Sequence, residues 1–225
     1  MEKIESVIFD WGGVLIDDPA PSRLRYCAEA LTVCEEDLAG AFNRFAPDFQ
    51  KGAISEDLFW QKVCVELSVP PPKRRSLWAD GFDAAYVPRP DMFAMAAALQ
   101  RQGCKTAVLS NTEVPAMDYF HRMRYDMFDV LVFSCAEGTR KPELRIYGIA
   151  VEKLGSPPGR TVYIDDDPKY IDAASQAGLN AILFETIDQV KNALSPYLAC
   201  GFTAGYDHGP LRKDIDGFQN ISQPQ

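Results

Sequence analysis

The chain has 225 residues, 47% of them hydrophobic and 24% charged, enough to bury a sizeable core and too ordinary a composition for wholesale disorder. Its formal charge of −9 at pH 7 disfavours nonspecific binding to nucleic acid or to an anionic membrane surface. Only two histidines are present, which argues against a multi-histidine zinc site or a Ser-His-Asp triad and leaves carboxylates as the candidate reactive groups.

The chain opens on an apolar run over residues 4–9, of the kind buried on both faces of a parallel sheet. It ends on Asp10, followed by Trp11, Gly12 and Gly13. Ligands collect at the carboxyl edge of such sheets. Asp10 would stand there, with two glycines letting the backbone approach an anion. Residues 17–88 then read as helical, with apolar residues at three- and four-residue spacing over 22–31, 35–45, 55–67 and 73–86. Ser55 is the expected N-cap of the third of these. Residues 44–52 read as the loop before it.

From residue 89 onward helices and strands alternate. Helices are expected over 90–102, 115–124, 142–154 and 168–176, and strands over 106–109, 130–133, 161–164 and 181–184. Pro142 suits a first helical position, and Gly103, Gly155 and Gly178 suit helix stops. This alternation predicts an α/β fold with a parallel sheet and right-handed crossovers. The expected division is a core of residues 1–16 and 89–199, a helical insert over 17–88, and an irregular tail over 200–225. A first strand so close to Met1 leaves no room for a signal peptide, and no apolar run is long enough to span a bilayer. Six scattered cysteines without a C-x-x-C pair add the expectation of a reduced, cytoplasmic protein.

The strand ends bring Asp10, Ser110, Asp165 and Asp166 to one edge, and Lys141 lies in a nearby loop. One carboxylate, one hydroxyl, one ammonium and an acidic pair are the groups that phosphoryl transfer to Asp10 needs. The carboxylate attacks phosphorus and forms an aspartyl phosphate, splitting hydrolysis into two easier steps. An anion attacking an anion needs a hard dication, and Mg²⁺ prefers oxygen ligands. Asp10, Asp166 and the Gly12 carbonyl are the expected ligands, with Asp165 acting through water. Ser110 would bind the phosphoryl oxygens, and Lys141 would neutralise one of them. Asn111 and Trp11, their neighbours in the chain, are the expected substrate contacts. Arg44 or Lys51 is expected at the substrate's non-reacting end. Asp167, before Pro168, reads as an N-cap. Trp60 and Trp78 read as core of the helical insert.

Taken together, Phe9-Asp10-Trp11-Gly12-Gly13-Val14-Leu15, Leu109-Ser110-Asn111-Thr112, Arg140-Lys141-Pro142-Glu143 and Ile164-Asp165-Asp166-Asp167-Pro168 resemble the motifs of the haloacid dehalogenase superfamily, in that family's order. Within it, Gly138-Thr139-Arg140-Lys141-Pro142 followed by Ile146-Tyr147 is similar to the branch typified by α-D-glucose-1-phosphate phosphatase and the phosphatase domain of soluble epoxide hydrolase. The resemblance implies a Rossmann-like three-layer α/β/α core, a helical cap inserted after the first strand, and Mg²⁺-dependent phosphatase activity on a small phosphorylated metabolite, in a monomer or homodimer. One position departs from most phosphatases of the family. The general acid and base aspartate expected two residues after the nucleophile is Gly12, as in the glucose-1-phosphatase-like branch. Either the leaving group needs less help, or Asp17, Asp18 or a water substitutes. The rival readings are a metal-free 2-haloacid dehalogenase using Asp10 on carbon, and a binding module without catalysis.

Overall fold

The computed structural model describes residues 3–197. Its central strand, β1 (Ser6–Phe9), is buried along its whole length. After it come four helices, α1 (Ala20–Leu31), α2 (Glu35–Gln50), α3 (Glu56–Leu67) and α4 (Leu77–Ala85), and then α5 (Pro90–Arg101). The chain continues through β2 (Lys105–Ser110), α6 (Val114–Met123), β3 (Val130–Phe133), α7 (Ser134–Glu137), α8 (Leu144–Leu154), β4 (Thr161–Asp165), α9 (Pro168–Gln176), β5 (Asn180–Leu183) and α10 (Ile187–Leu194). The tail expected over 200–225 lies outside the described residues.

The five strands run parallel in the order β3-β2-β1-β4-β5. Successive side chains of a strand point to opposite faces of the sheet, and β1 shows the result. Val7 and Phe9 join an apolar layer with Met92, Met95, Ala96 and Leu99 of α5. Ile8 joins the opposite layer with Ile146, Tyr147 and Ala150 of α8 and Ala173 and Ala174 of α9. Helices on both faces of a parallel sheet make the Rossmann-like α/β arrangement expected. Phe9 pairs in register with Val108 of β2 and Ile164 of β4, so Asp10, Ser110 and Asp165 come to the same edge.

The helical insert has a third apolar cluster of its own, which includes Leu38, Phe42, Phe49, Phe59, Trp60 and Trp78. Ser55 caps α3 by accepting from the Leu58 amide at 3.3 Å, and Ser76 caps α4 by accepting from the Ala79 amide at 2.9 Å. Where residues 73–86 read as one helix, the observed helix starts only at Leu77.

Two boundaries differ more. Residues 44–50, expected as loop, are the last two turns of α2, with Pro47 inside the helix. Proline removes one helical hydrogen bond, but Phe49 stacks on Phe59 at 4.5 Å and meets Trp78 at 5.0 Å, so packing decides the outcome. Pro142 is not at a first helical position: it follows a cis peptide bond after Lys141, and α8 starts at Leu144 behind Glu143.

The insert leaves and rejoins the sheet through adjacent segments. Ile16 bridges both Gly12 and Pro88. Arg89 donates to Asp17 Oδ1 at 2.9 Å and also to the Gly13 carbonyl.

Candidate active site

Asp10 directly follows β1, and its carboxylate accepts from the Trp11 amide at 2.7 Å. Asp165 ends β4 fully buried, accepts from the Asp167 amide at 2.9 Å, and accepts from the Tyr163 hydroxyl two residues earlier on the same strand. Asp166, next in the chain, is exposed. Ligand oxygens of Asp10, Asp165 and Asp166 all lie within 4.8 Å of one another.

Lys141 is fully buried between two of them, with Nζ at 2.6 Å from Asp165 Oδ2 and 2.9 Å from Asp10 Oδ1. Burial alone pushes a lysine down; here the two carboxylates outweigh it and Lys141 ends up raised. Asp10 is raised as well, above the ordinary carboxyl range. Burial pushes it up, Lys141 pulls it back and Asp165 raises it again. One cation thus serves two buried carboxylates, with a third carboxylate beside them. Burial and Asp165 raise Asp166 as well. An added positive charge would relieve all three.

The donor set is entirely oxygen, the chemistry a hard divalent cation prefers. Gly13 bears on the same point. Its φ is +88°, and a Cβ there would meet the Asp166 carboxylate at 2.3 Å. The backbone therefore approaches this carboxylate more closely than any other residue would permit. Asp10, Asp165 and Asp166 fit a divalent ion.

Each expected site residue has a definite place. Asp10, Gly12, Ser110, Lys141 and Asp166 line one cleft of about 500 Å³. Ser110 Oγ accepts from the Thr112 hydroxyl at 2.7 Å. Asn111 also lines the cleft, but its amide is engaged elsewhere. Its Oδ1 accepts from the Lys141 amide at 2.8 Å, and its Nδ2 donates to the Lys141 carbonyl at 3.0 Å and the Tyr170 hydroxyl at 3.2 Å. Asn111 thus fixes the backbone of the site lysine while lining the cleft.

Trp11 borders the cleft, yet its ring is buried against Phe82 and Phe120 at 4.9 and 5.0 Å, as core rather than a ligand platform. Arg44 and Lys51 do not line the cleft. Arg44 pairs with Glu66 at 3.4 Å, because its stretch is helix rather than loop, and Lys51 pairs with Glu143 at 2.5 Å. Asp167 is the N-cap expected, accepting from the Lys169 amide at 3.0 Å. Of the two acids weighed as substitutes at Gly12, Asp18 lines the cleft, while Asp17 is tied to Arg89.

Residues 4–178 match the family model described as haloacid dehalogenase-like hydrolase. The chain belongs to that family. It is similar to the sesquiterpene phosphatase astK of Aspergillus oryzae, 26% identical over 78% of this chain and 87% of that protein. It is also similar to bifunctional epoxide hydrolase 2 of Rattus norvegicus, 28% identical over 78% of this chain, and to acyl-CoA dehydrogenase family member 10 of Mus musculus, 26% identical over 93%. The matches span only 35% of the rat protein and 21% of the mouse protein. Among solved structures, the HAD family enzyme bt-2542 of Bacteroides thetaiotaomicron, crystallised with magnesium and inorganic phosphate, superposes with a TM-score of 0.66. It is 21% identical over 81% of this chain and 94% of that one, a likeness of fold. The protein is a hydrolase of the haloacid dehalogenase-like family, and no helix among the described residues is long and apolar enough to cross a membrane.

Part of the lining of the hydrolase's cleft was not anticipated: Arg23 of α1, Asn43 and Gln50 of α2, Trp78 of α4 and Glu113 beside α6. Tyr163 was missed as well, although its spacing of two from Asp165 on one strand already put both side chains on one face.

Proposed function

We propose that this hydrolase is a Mg²⁺-dependent phosphatase acting on a small phosphomonoester through an aspartyl phosphate on Asp10. The observation that carries the reading is the buried set of Asp10, Lys141 and Asp165 beside Asp166, with one cation among three carboxylates. A metal-free attack on carbon needs no such acidic pair. The phosphatase named among the relatives, and the magnesium and phosphate bound in the bt-2542 structure, support the same choice.

In this reading Asp10 and Asp166 would hold the ion, with the Gly12 carbonyl as a third ligand and Asp165 acting through water. The bound ion would supply charge neutralisation at the transferring phosphoryl group. Asp10, placed at the cleft beside Lys141, attacks phosphorus. The P–O bond to the leaving group breaks, and water then attacks the aspartyl phosphate and returns the carboxylate. Lys141 stays protonated and offers its charge to one phosphoryl oxygen, and Ser110 offers its hydroxyl to another. Asn111 holds the lysine's backbone in place. With Gly12 where many phosphatases carry an acid, Asp18 at the cleft is the nearest replacement for proton transfer to the leaving group. The helices α1 to α4 act as a cap over the core, with the division between them near residues 16 and 89.

The test is hydrolysis of p-nitrophenyl phosphate with Mg²⁺ and with EDTA, alongside halide release from a 2-haloacid. Metal-dependent phosphate release supports the reading. Halide release without metal would replace it with the dehalogenase, and no turnover of either would leave a binding module.

A further inference from the structure

Ser110, Asn111 and Thr112 leave the end of β2 in succession, and all three line the cleft. Their polar groups have different partners. Asn111 spends its amide on the Lys141 backbone and on Tyr170. Thr112 is 3% exposed, and its hydroxyl donates to Ser110 Oγ at 2.7 Å. A hydroxyl carries a single hydrogen. Thr112 has given its hydrogen to Ser110 and has none left for a ligand. Ser110, which receives it, keeps its own hydrogen, and no described residue accepts that one.

Thr112 is in turn held from the neighbouring strand. Ser134, fully buried where β3 passes into α7, accepts from the Thr112 amide at 2.9 Å and donates to the Thr112 carbonyl at 3.2 Å. One side chain thus fixes the backbone of Thr112 on both sides. A hydroxyl oxygen that accepts a hydrogen bond donates its own hydrogen more strongly, and chains of such bonds reinforce one another. We infer that Thr112 is a positioning residue, which holds and polarises the Ser110 hydroxyl so that its hydrogen is delivered into the cleft to a phosphoryl oxygen. The chain of hydroxyls runs from Ser134 through Thr112 to Ser110. The inference rests on the phosphatase reading for the group that Ser110 meets.

The test is calorimetric titration of inorganic phosphate, with Mg²⁺ present, into the parent, Thr112→Val, Thr112→Ser, Ser110→Ala and the double variant Ser110→Ala/Thr112→Val. Valine keeps the volume of threonine and removes the hydroxyl; serine keeps the hydroxyl and removes the methyl group. Thr112→Val is expected to weaken phosphate binding about three- to tenfold, the scale of one hydrogen bond, while Thr112→Ser stays within about twofold of the parent. In the Ser110→Ala background Thr112→Val should cost nothing more, because its effect passes through Ser110. The kcat/KM for p-nitrophenyl phosphate should follow the same pattern. Where Thr112→Val does not fold, Thr112→Ala takes its place, since it differs from Thr112→Ser by the hydroxyl alone. A loss larger for serine than for valine would make Thr112 a packing residue and overturn the inference. So would phosphate binding unchanged by loss of the hydroxyl, or a loss that persists at full size without the Ser110 hydroxyl. Failure of the phosphatase reading shows separately, as no phosphate release by the parent with Mg²⁺, and the coupling is then still read from phosphate binding. A parent that binds no inorganic phosphate would overturn both.

Discussion

Lys141 Nζ stands 2.6 Å from Asp165 and 2.9 Å from Asp10 with none of the three more than 7% exposed. A buried cation that bridges two buried carboxylates cannot be removed without leaving both uncompensated. Lys141→Met is expected to lose about 3–5 kcal/mol of stability, the usual cost of breaking such a pair from one side. Urea denaturation checks this. Part of the loss should return on adding Mg²⁺, because the ion then takes over the neutralising role; a variant as stable as the parent without metal would contradict the pairing.

Mg²⁺ itself should stabilise the fold, since the cluster exists only when β1 and β4 are paired. At a hundredfold excess over its dissociation constant the gain is about 2.7 kcal/mol, several degrees in melting temperature for a chain of this size. Asp166→Asn should abolish most of that shift. Gly13→Ala should do the same by a different route, because its Cβ would occupy the place of the Asp166 carboxylate at a φ of +88°. Thermal melts with Mg²⁺ and with EDTA read all three proteins.

Glu113 gives the pH prediction. Its carboxyl is raised by burial, so the folded state prefers the neutral form. Stability from this group is complete below the unfolded carboxyl range and is lost as pH rises through the folded value. Glu113→Gln, which stays neutral, is therefore expected to melt higher than the parent at pH 7–8, with the difference shrinking as pH falls towards 4. A difference that grows on acidification would reverse the sign and show that the charged form is the favoured one.

Arg44 faces Glu66 across the helical insert and stands away from the cleft. Arg44→Ala should change kcat/KM for a sugar phosphate and for p-nitrophenyl phosphate by the same factor, within about twofold, as expected where an exposed pair is worth about 0–1 kcal/mol. Selective loss on the sugar phosphate would return Arg44 to a substrate role.

The sheet and the carboxylate cluster were legible because burial leaves a plain mark. Strands covered on both faces are continuous apolar runs, and each functional group follows such a run directly, as Asp10 follows Phe9 and Asp165 follows Ile164. The end of α2 was not legible, because Pro47 signals a break locally while Phe49 packs on Phe59 of α3 and Trp78 of α4, and only the assembled insert shows which wins. The same misreading put Arg44 on a loop. Asn111 was placed at the right edge, but its hold on the backbone of a residue thirty positions on was not legible. Glu113 carried no signal at all. A carboxylate just before a proline-led helix reads as an exposed first-turn acid, and its burial comes from the insert folding over it.

The most direct test compares the parent enzyme with Asp10→Asn in phosphate release from p-nitrophenyl phosphate, each with Mg²⁺ and with EDTA. If Asp10 attacks phosphorus beside a metal ion, the parent turns over only with Mg²⁺, and the amide variant, still folded and still stabilised by phosphate, falls to background. Undiminished turnover in EDTA, or in the amide variant, would contradict it.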